Sequence, residues 1–340
     1  MSGYKGYETK KIVAAIDIGT TYSAYAYSFT DEYLKDPQKI YANQDWTDGI
    51  VLITVKAPTV VLFDPKGNFH SFGYEAEKNY KRLSELDKHR GWKYFRRFLA
   101  GSMKKQRMPA INVFSAAIKY LKDHFMKRLK DRIGDVRETD IHWVLTVPAI
   151  RHDGAKQFMK EAANKAGIPE DQLTLALEPE AAAIYCEELF ISKAKEQGQE
   201  AQLQSFSPGA QFMVLDLGGG TVDITVREVQ RDGTLKELHS PCGGPWGGTV
   251  VDKGIDEFPD ELFGSDVMSE FRNECKTDDL DLQRTIELKK RTCKDIEDDK
   301  VNLKLPKALY VFYEGKTEES FTVSLPRSKF STSVKREGTG

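Results

Sequence analysis

Twice along the chain an apolar run ends in an acidic, glycine-bearing turn, and a strand-like alternation follows. Ile12, Val13, Ala14, Ala15 and Ile16 lead into Asp17-Ile18-Gly19-Thr20-Thr21, after which Tyr22, Ala24, Ala26 and Ser28 alternate with other side chains. That period of two predicts strand, turn, strand over residues 12–29. Phe212, Met213, Val214 and Leu215 lead into Asp216-Leu217-Gly218-Gly219-Gly220-Thr221, and Val222, Ile224 and Val226 then alternate with Asp223, Thr225 and Arg227. Two hairpins of one chemistry form an internal repeat and predict a duplicated, two-lobed architecture.

Helical patterns lie between them. Val113, Ala117, Leu121, Phe125 and Leu129 share one helix face. A short apolar strand over residues 143–147 ends at Pro148, and a helix over 154–166 stops at Gly167 and Pro169. Another helix, over 179–191, has Glu180 in its first turn. The polar stretch 193–209, with Gly198, Ser205, Ser207, Pro208 and Gly209, is the predicted boundary between lobes. The last third predicts a charged helix over 281–295 and three strand-like runs at 301–305, 308–313 and 321–325. The expected organisation is an N-terminal tail 1–11, a first lobe 12–195, a linker 196–209, a partial second lobe 210–330 and a disordered tail 331–340.

Composition narrows the classes. The 340 residues are enough for about two domains. With 40% hydrophobic and 30% charged residues, a packed core under a polar surface is expected. The formal net charge of −2 gives no basis for binding nucleic acid or an anionic membrane. The most apolar stretch, 51–63, is broken by Lys56, Thr54 and Thr59 and is too short to span a bilayer. Residues 1–11 are polar and hold no apolar signal region, so a cytoplasmic location is expected. Cys186, Cys242, Cys275 and Cys293 are too widely spaced for a zinc knuckle or redox dithiol and read as free thiols. The six histidines are scattered, and no transition-metal site is expected.

The two turns suit a phosphate chain. A polyphosphate needs several backbone N–H groups at close range and a counter-cation, and glycine allows the approach. Each turn supplies donors preceded by a carboxylate, Asp17 or Asp216, that could hold Mg²⁺ through water. Thr20, Thr21 and Thr221 add hydroxyls. One such hairpin reads as a tight turn; two in tandem read as a phosphate clamp. A dinucleotide fingerprint is excluded because Asp223 stands where its third glycine belongs. Residues 243–249 have the spacing of a Walker A loop but lack its lysine.

Here a resemblance becomes specific. Asp17-Ile18-Gly19-Thr20-Thr21-Tyr22-Ser23 is similar to the first phosphate motif of the 70-kDa heat-shock proteins, and Asp216-Leu217-Gly218-Gly219-Gly220-Thr221-Val222-Asp223 resembles their second. Thr146-Val147-Pro148-Ala149 and Glu178-Pro179 with Ala181-Ala182-Ala183 resemble the family's connecting segment. Gly247-Gly248 with Asp252 resembles the Gly-Gly beyond the second hairpin, and Glu287-Leu288-Lys289-Lys290-Arg291 the helix that clamps adenine and ribose. Residues 23–29, 70–74 and 176–186 are similar to the divergent branch called heat shock 70 kDa protein 12. The resemblance implies an α/β, actin-like ATPase (ribonuclease H-like) fold of two lobes with duplicated mixed sheets, ATP or ADP as ligand and Mg²⁺ as cofactor. It implies that Asp17 and Asp216 face the metal and that Gly19, Thr20, Thr21 and Tyr22 bind phosphate. Gly218, Gly219, Gly220 and Thr221 would wrap the β- and γ-phosphates, beside Gly247 and Gly248. Glu178 and Asp223 would organise the catalytic water, and Glu287, Lys290, Arg291 and Lys294 would hold the nucleoside. On spacing alone this last set reads as a solvated helix.

The chain also departs from the family pattern. The family's lysine near the γ-phosphate has Arg96 as its nearest match, and an arginine there would serve binding better than hydrolysis. The second adenosine loop has no counterpart, so the second lobe is expected to be truncated, its nucleotide affinity weak, and its uncovered face to take a protein partner or a second copy. Three functions follow: a weakly hydrolysing, chaperone-like ATP-binding protein, a degenerate ATPase serving as an interaction module, and a sugar or acid kinase on the same fold.

Overall fold

A computed structural model describes residues 10–47, 53–86, 88–96, 108–149, 153–197, 207–232, 234–292 and 303–317. The chain forms two compact units, one of residues 1–80 with 90–247 and the other of 81–89 with 248–340.

In the first unit, β1 (Ile12–Ile18) and β2 (Tyr22–Phe29) form the first hairpin, followed by the single turn α1 (Thr30–Tyr33). Short strands β3 (Tyr41–Ala42), β4 (Trp46–Thr47), β5 (Ile53–Thr54) and β6 (Ala57–Pro58) precede a small sheet of β7 (Val60–Phe63), β8 (Phe69–Phe72) and β9 (Lys93–Arg96), in which β7 is central. Helix α2 (Gly73–Glu85) starts in this unit and ends in the other. Helix α3 (Ala110–Ile133), β10 (Ile141–Val147), α4 (Asp153–Lys165), β11 (Leu173–Leu177) and α5 (Glu178–Gln197) follow. The main sheet has the order β11-β10-β1-β2-β3, with β6 also on β2. β11, β10 and β1 are parallel, so their carboxyl ends share one edge, while β1 and β2 are antiparallel.

The core follows from side-chain period. On α3, Val113, Ala117, Leu121, Phe125 and Leu129 are buried at the expected four-residue interval. They join Ile12, Ala14 and Ile16 of β1, and Trp143 and Leu145 of β10, in one apolar cluster. The second hairpin, β12 (Gln211–Leu217) and β13 (Val222–Val229), is extended by β14 (Leu235–Gly244) into a three-stranded sheet. Register confirms the repeat, since Ile18 pairs with Ser23 across the first turn and Leu217 with Val222 across the second.

The second sheet has an unusual polarity. Opposed residues of an antiparallel pair share a face. One face therefore holds Met213, Leu215 and Leu217, which are 61%, 49% and 69% exposed, with their partners Val226, Ile224 and Val222. The other holds Asp223, Thr225 and Arg227, all buried, and α5 packs against β12 and β13.

The second unit contains α6 (Gly248–Phe263), α7 (Ser265–Glu274), α8 (Lys276–Thr292) and α9 (Lys307–Thr317). Its core is Phe263, Met268, Phe271 and Leu309. The run 308–313, expected as a strand, is helical. A short continuous apolar run fits either element, and packing decides. Pro306 precedes the first turn, as is favoured at a helix start, and Leu309 is fully buried while Val311 is 62% exposed, a helical face. The run 321–325 and the tail 331–340 lie outside the described residues. Among the described residues no helix is long and apolar enough to cross a membrane.

Candidate functional site

Both hairpin turns belong to the first unit, and the backbone of the second lies against the threonine side chains of the first. A Cβ on Gly219 would fall within the side chain of Thr21, and one on Gly220 would come 2.5 Å from the Thr20 hydroxyl. A Cβ on Gly247 would come 2.6 Å from the Gly218 carbonyl oxygen and 2.7 Å from that of Gly219. None of these glycines has a left-handed φ. They are glycines because three segments converge with no room for a methyl group, not because the turn needs a special dihedral. Within the turns, Gly218 N–H donates to Thr221 O at 2.9 Å, and the Tyr22 carbonyl closes over Gly19.

The carboxylates stand at the mouth of this cradle. Asp17 leaves the end of β1, where the neighbouring β10 presents Thr146, whose hydroxyl donates to Asp17 Oδ1 at 2.9 Å. Lys56 Nζ lies 3.2 Å from Asp17 Oδ2. Asp216 pairs in register with Asp223. Burial pushes the Asp216 carboxyl up from its ordinary value, repulsion from Asp223 and Asp17 adds to this, and Lys56 opposes it. The cluster thus carries more negative charge than its surroundings stabilise, which a cation would relieve. Among the described residues no three His, Cys, Asp or Glu side chains are grouped as a direct metal cage. Two hard carboxylates beside open backbone donors fit Mg²⁺, which keeps part of its water shell.

Glu178 is the first residue of α5 and directly follows Leu177, the last of β11, at the same sheet edge as Asp17. Open α/β sheets bind ligands beyond the carboxyl ends of their strands. The structure thus gathers Asp17, Gly19, Thr20, Thr21, Tyr22, Asp216, Gly218, Gly219, Gly220, Thr221, Asp223 and Gly247 into one region of the first unit, with Glu178 on its edge.

Sequence reasoning missed three supporting residues. Thr59 donates its hydroxyl to the Gly19 carbonyl at 2.7 Å, and its N–H to Thr21 O at 2.8 Å, pinning the first turn. Thr146 and Lys56 hold Asp17. The available signal was Lys56 and Thr59 interrupting the most apolar stretch of the chain. Arg96 ends β9 opposite Val60, one residue from Thr59.

In the second unit, Gly248 opens α6 and Glu287, Lys290 and Arg291 lie on α8. Lys290 Nζ sits 2.6 Å from Oδ1 of the buried Asp252 and 2.9 Å from Oε2 of Glu287. Lys294 lies outside the described residues.

The family model described as Hsp70 protein matches residues 98–336. Heat shock 70 kDa protein 12B of Homo sapiens is 33% identical over 93% of this chain and 54% of its own length. Heat shock 70 kDa protein 12A of Mus musculus is 33% identical over 90% of this chain and 54% of its own. The chain therefore spans about half the length of these relatives. Among solved structures, MreB5 of Spiroplasma citri bound to ADP has a TM-score of 0.48 at 14% identity, over 86% of this chain and 65% of that one.

Proposed function

The chain belongs to the Hsp70 protein family, and on that premise we propose that its first unit binds the phosphates of a magnesium–adenine nucleotide and hydrolyses ATP weakly. Its fold is the mixed α/β, actin-like ATPase fold of that family. The observation that carries the reading is the convergence of Gly219 and Gly220 on Thr20 and Thr21, with Gly247 behind them. Nothing in strand pairing requires the glycines of one hairpin turn to pack against the threonines of the other; a phosphate chain bound by both turns at once needs them that close.

Each residue then has a task. N–H groups of Gly19 to Tyr22 and of Gly219 to Thr221 bind phosphate oxygens. Asp17 and Asp216 would hold Mg²⁺. The metal, when bound, neutralises phosphate charge and orients the terminal group. Asp17 is aimed by Thr146 and Lys56. Glu178 and Asp223 orient the attacking water by accepting its protons in hydrogen bonds. Lys56, with its ammonium group already inside the cluster, supplies positive charge beside the terminal phosphate. Glu287, Lys290 and Arg291 hold the nucleoside. The names of the relatives, heat shock proteins, support a stress-related role, and a chaperone activity in the cytoplasm is part of the same proposal.

A second reading has its own support. The exposed face of Met213, Leu215 and Leu217 is the kind of apolar surface that a protein partner or second copy covers, and a degenerate ATPase could serve as an interaction module. Calorimetry with Mg-ADP separates the two. Binding at micromolar to millimolar concentration, abolished by a magnesium chelator, is expected; no heat at millimolar Mg-ADP or Mg-ATP would leave only the interaction module.

A further inference from the structure

The nucleotide reading leaves unused a charge buried under α5. Arg227 is 4% exposed on β13, in file with Thr225 and Asp223 on the covered face of the second sheet. A guanidinium cannot lose its proton, so it must meet carboxylates where it lies. Its Nη2 sits 2.8 Å from Glu180 Oε1 on α5 and 3.4 Å from Glu237 Oε2 on β14. These are ion pairs without hydrogen-bond alignment, and its Nε has no hydrogen-bond partner among the described residues.

The place of Glu180 makes this more than packing. It lies two residues after Glu178, in the first turn of α5, and no loop separates that turn from β11. The first turn is therefore fixed at two points: covalently by β11 in the main sheet, and electrostatically by Arg227 in the second sheet. Asp223 lies four residues from Arg227 on the same file, about 13 Å away at strand rise. Glu178 opens α5 directly after β11 of the main sheet and Asp223 lies on β13 of the second, and the Glu180–Arg227 pair joins these two elements.

We propose that Arg227 and Glu180 are positioning residues that clamp the first turn of α5 onto the second sheet and so set Glu178 relative to the phosphate turns. The proposal rests on the nucleotide reading above. Buried ion pairs add little net stability compared with apolar substitutes but fix orientation, so the clamp should govern geometry at Glu178 rather than nucleotide affinity.

The test begins with the parent chain, by Mg-ADP calorimetry and single-turnover ATP hydrolysis. Glu180→Gln keeps the shape and removes the charge. It should leave the Mg-ADP Kd within about threefold and lower the single-turnover rate about tenfold. The double variant Glu178→Gln with Glu180→Gln should be no slower than Glu178→Gln alone, because Glu180 acts through Glu178. Arg227→Met should match Glu180→Gln; if it fails to fold, Glu180→Gln alone decides. An unchanged rate in Glu180→Gln, or additive losses in the double variant, overturns the proposal. If the parent binds Mg-ADP but hydrolyses nothing, amide exchange decides: Mg-ADP should protect Glu180 and Ala181 in the parent and not in Glu180→Gln, and equal protection overturns the clamp. If the parent binds no nucleotide, the nucleotide reading fails first and the clamp fails with it.

Discussion

At the scale of single residues, the site is a negative cluster with one cation already inside it. Asp216 is half-buried beside two other carboxylates that resist its ionisation, whereas Arg96 lies opposite Val60, next to Thr59. Asp216→Ala should therefore weaken Mg-dependent nucleotide binding at least about tenfold, or about 1.4 kcal/mol, and Arg96→Ala should weaken it less. Calorimetry on both variants with and without magnesium checks this; equal losses would make Arg96 a phosphate contact. Asp17, Asp216 and the glycines were legible in the sequence because a carboxylate before a glycine turn is a local pattern. Lys56, Thr59 and Thr146 were not, because their partners are 36 or more residues away, from Ser23 to Thr59 and from Asp17 to Thr146, and only strand pairing brings them together.

At the scale of elements, the two hairpins share a register but not an environment. β1 lies between β10 and β2 in the main sheet, whereas β12 has only β13 as a neighbour among the described residues. An edge strand with an exposed apolar face opens more readily. Amides of residues 213–229 should therefore exchange faster than those of 12–29 in the isolated protein. Equal, strong protection in a verified monomer would mean that another part of the chain covers Met213, Leu215 and Leu217. Alternation made both hairpins legible, and four-residue spacing did the same for α3. Neither could say which face of β13 is covered, because the buried side chains are the polar ones, Asp223, Thr225 and Arg227. Nor could periodicity decide the run 308–313, whose helical form depends on Leu309 meeting Phe263 and Phe271.

At the scale of the whole molecule, the two compact units provide a separation of effects. Lys290 pairs with the buried Asp252 inside the second unit. Lys290→Met would strip that carboxylate of its ammonium and should destabilise the second unit by about 3 kcal/mol, leaving the first unit's transition in place. Scanning calorimetry without nucleotide is the check; an unchanged second unit with weakened nucleotide binding would make Lys290 a ligand contact alone. Much of the fold could be read from the repeat. The membership of the second unit could not, because no local pattern announces that residues 81–89 belong with 248–340. That interleaving has a consequence for biosynthesis. Lys81 pairs with Asp281, 200 positions later. At about 5–20 residues per second, a ribosome takes roughly 10–40 s to travel between them. During that interval the early segment has been made while its companions have not, so the second unit is complete only after residues 248–340 are synthesised.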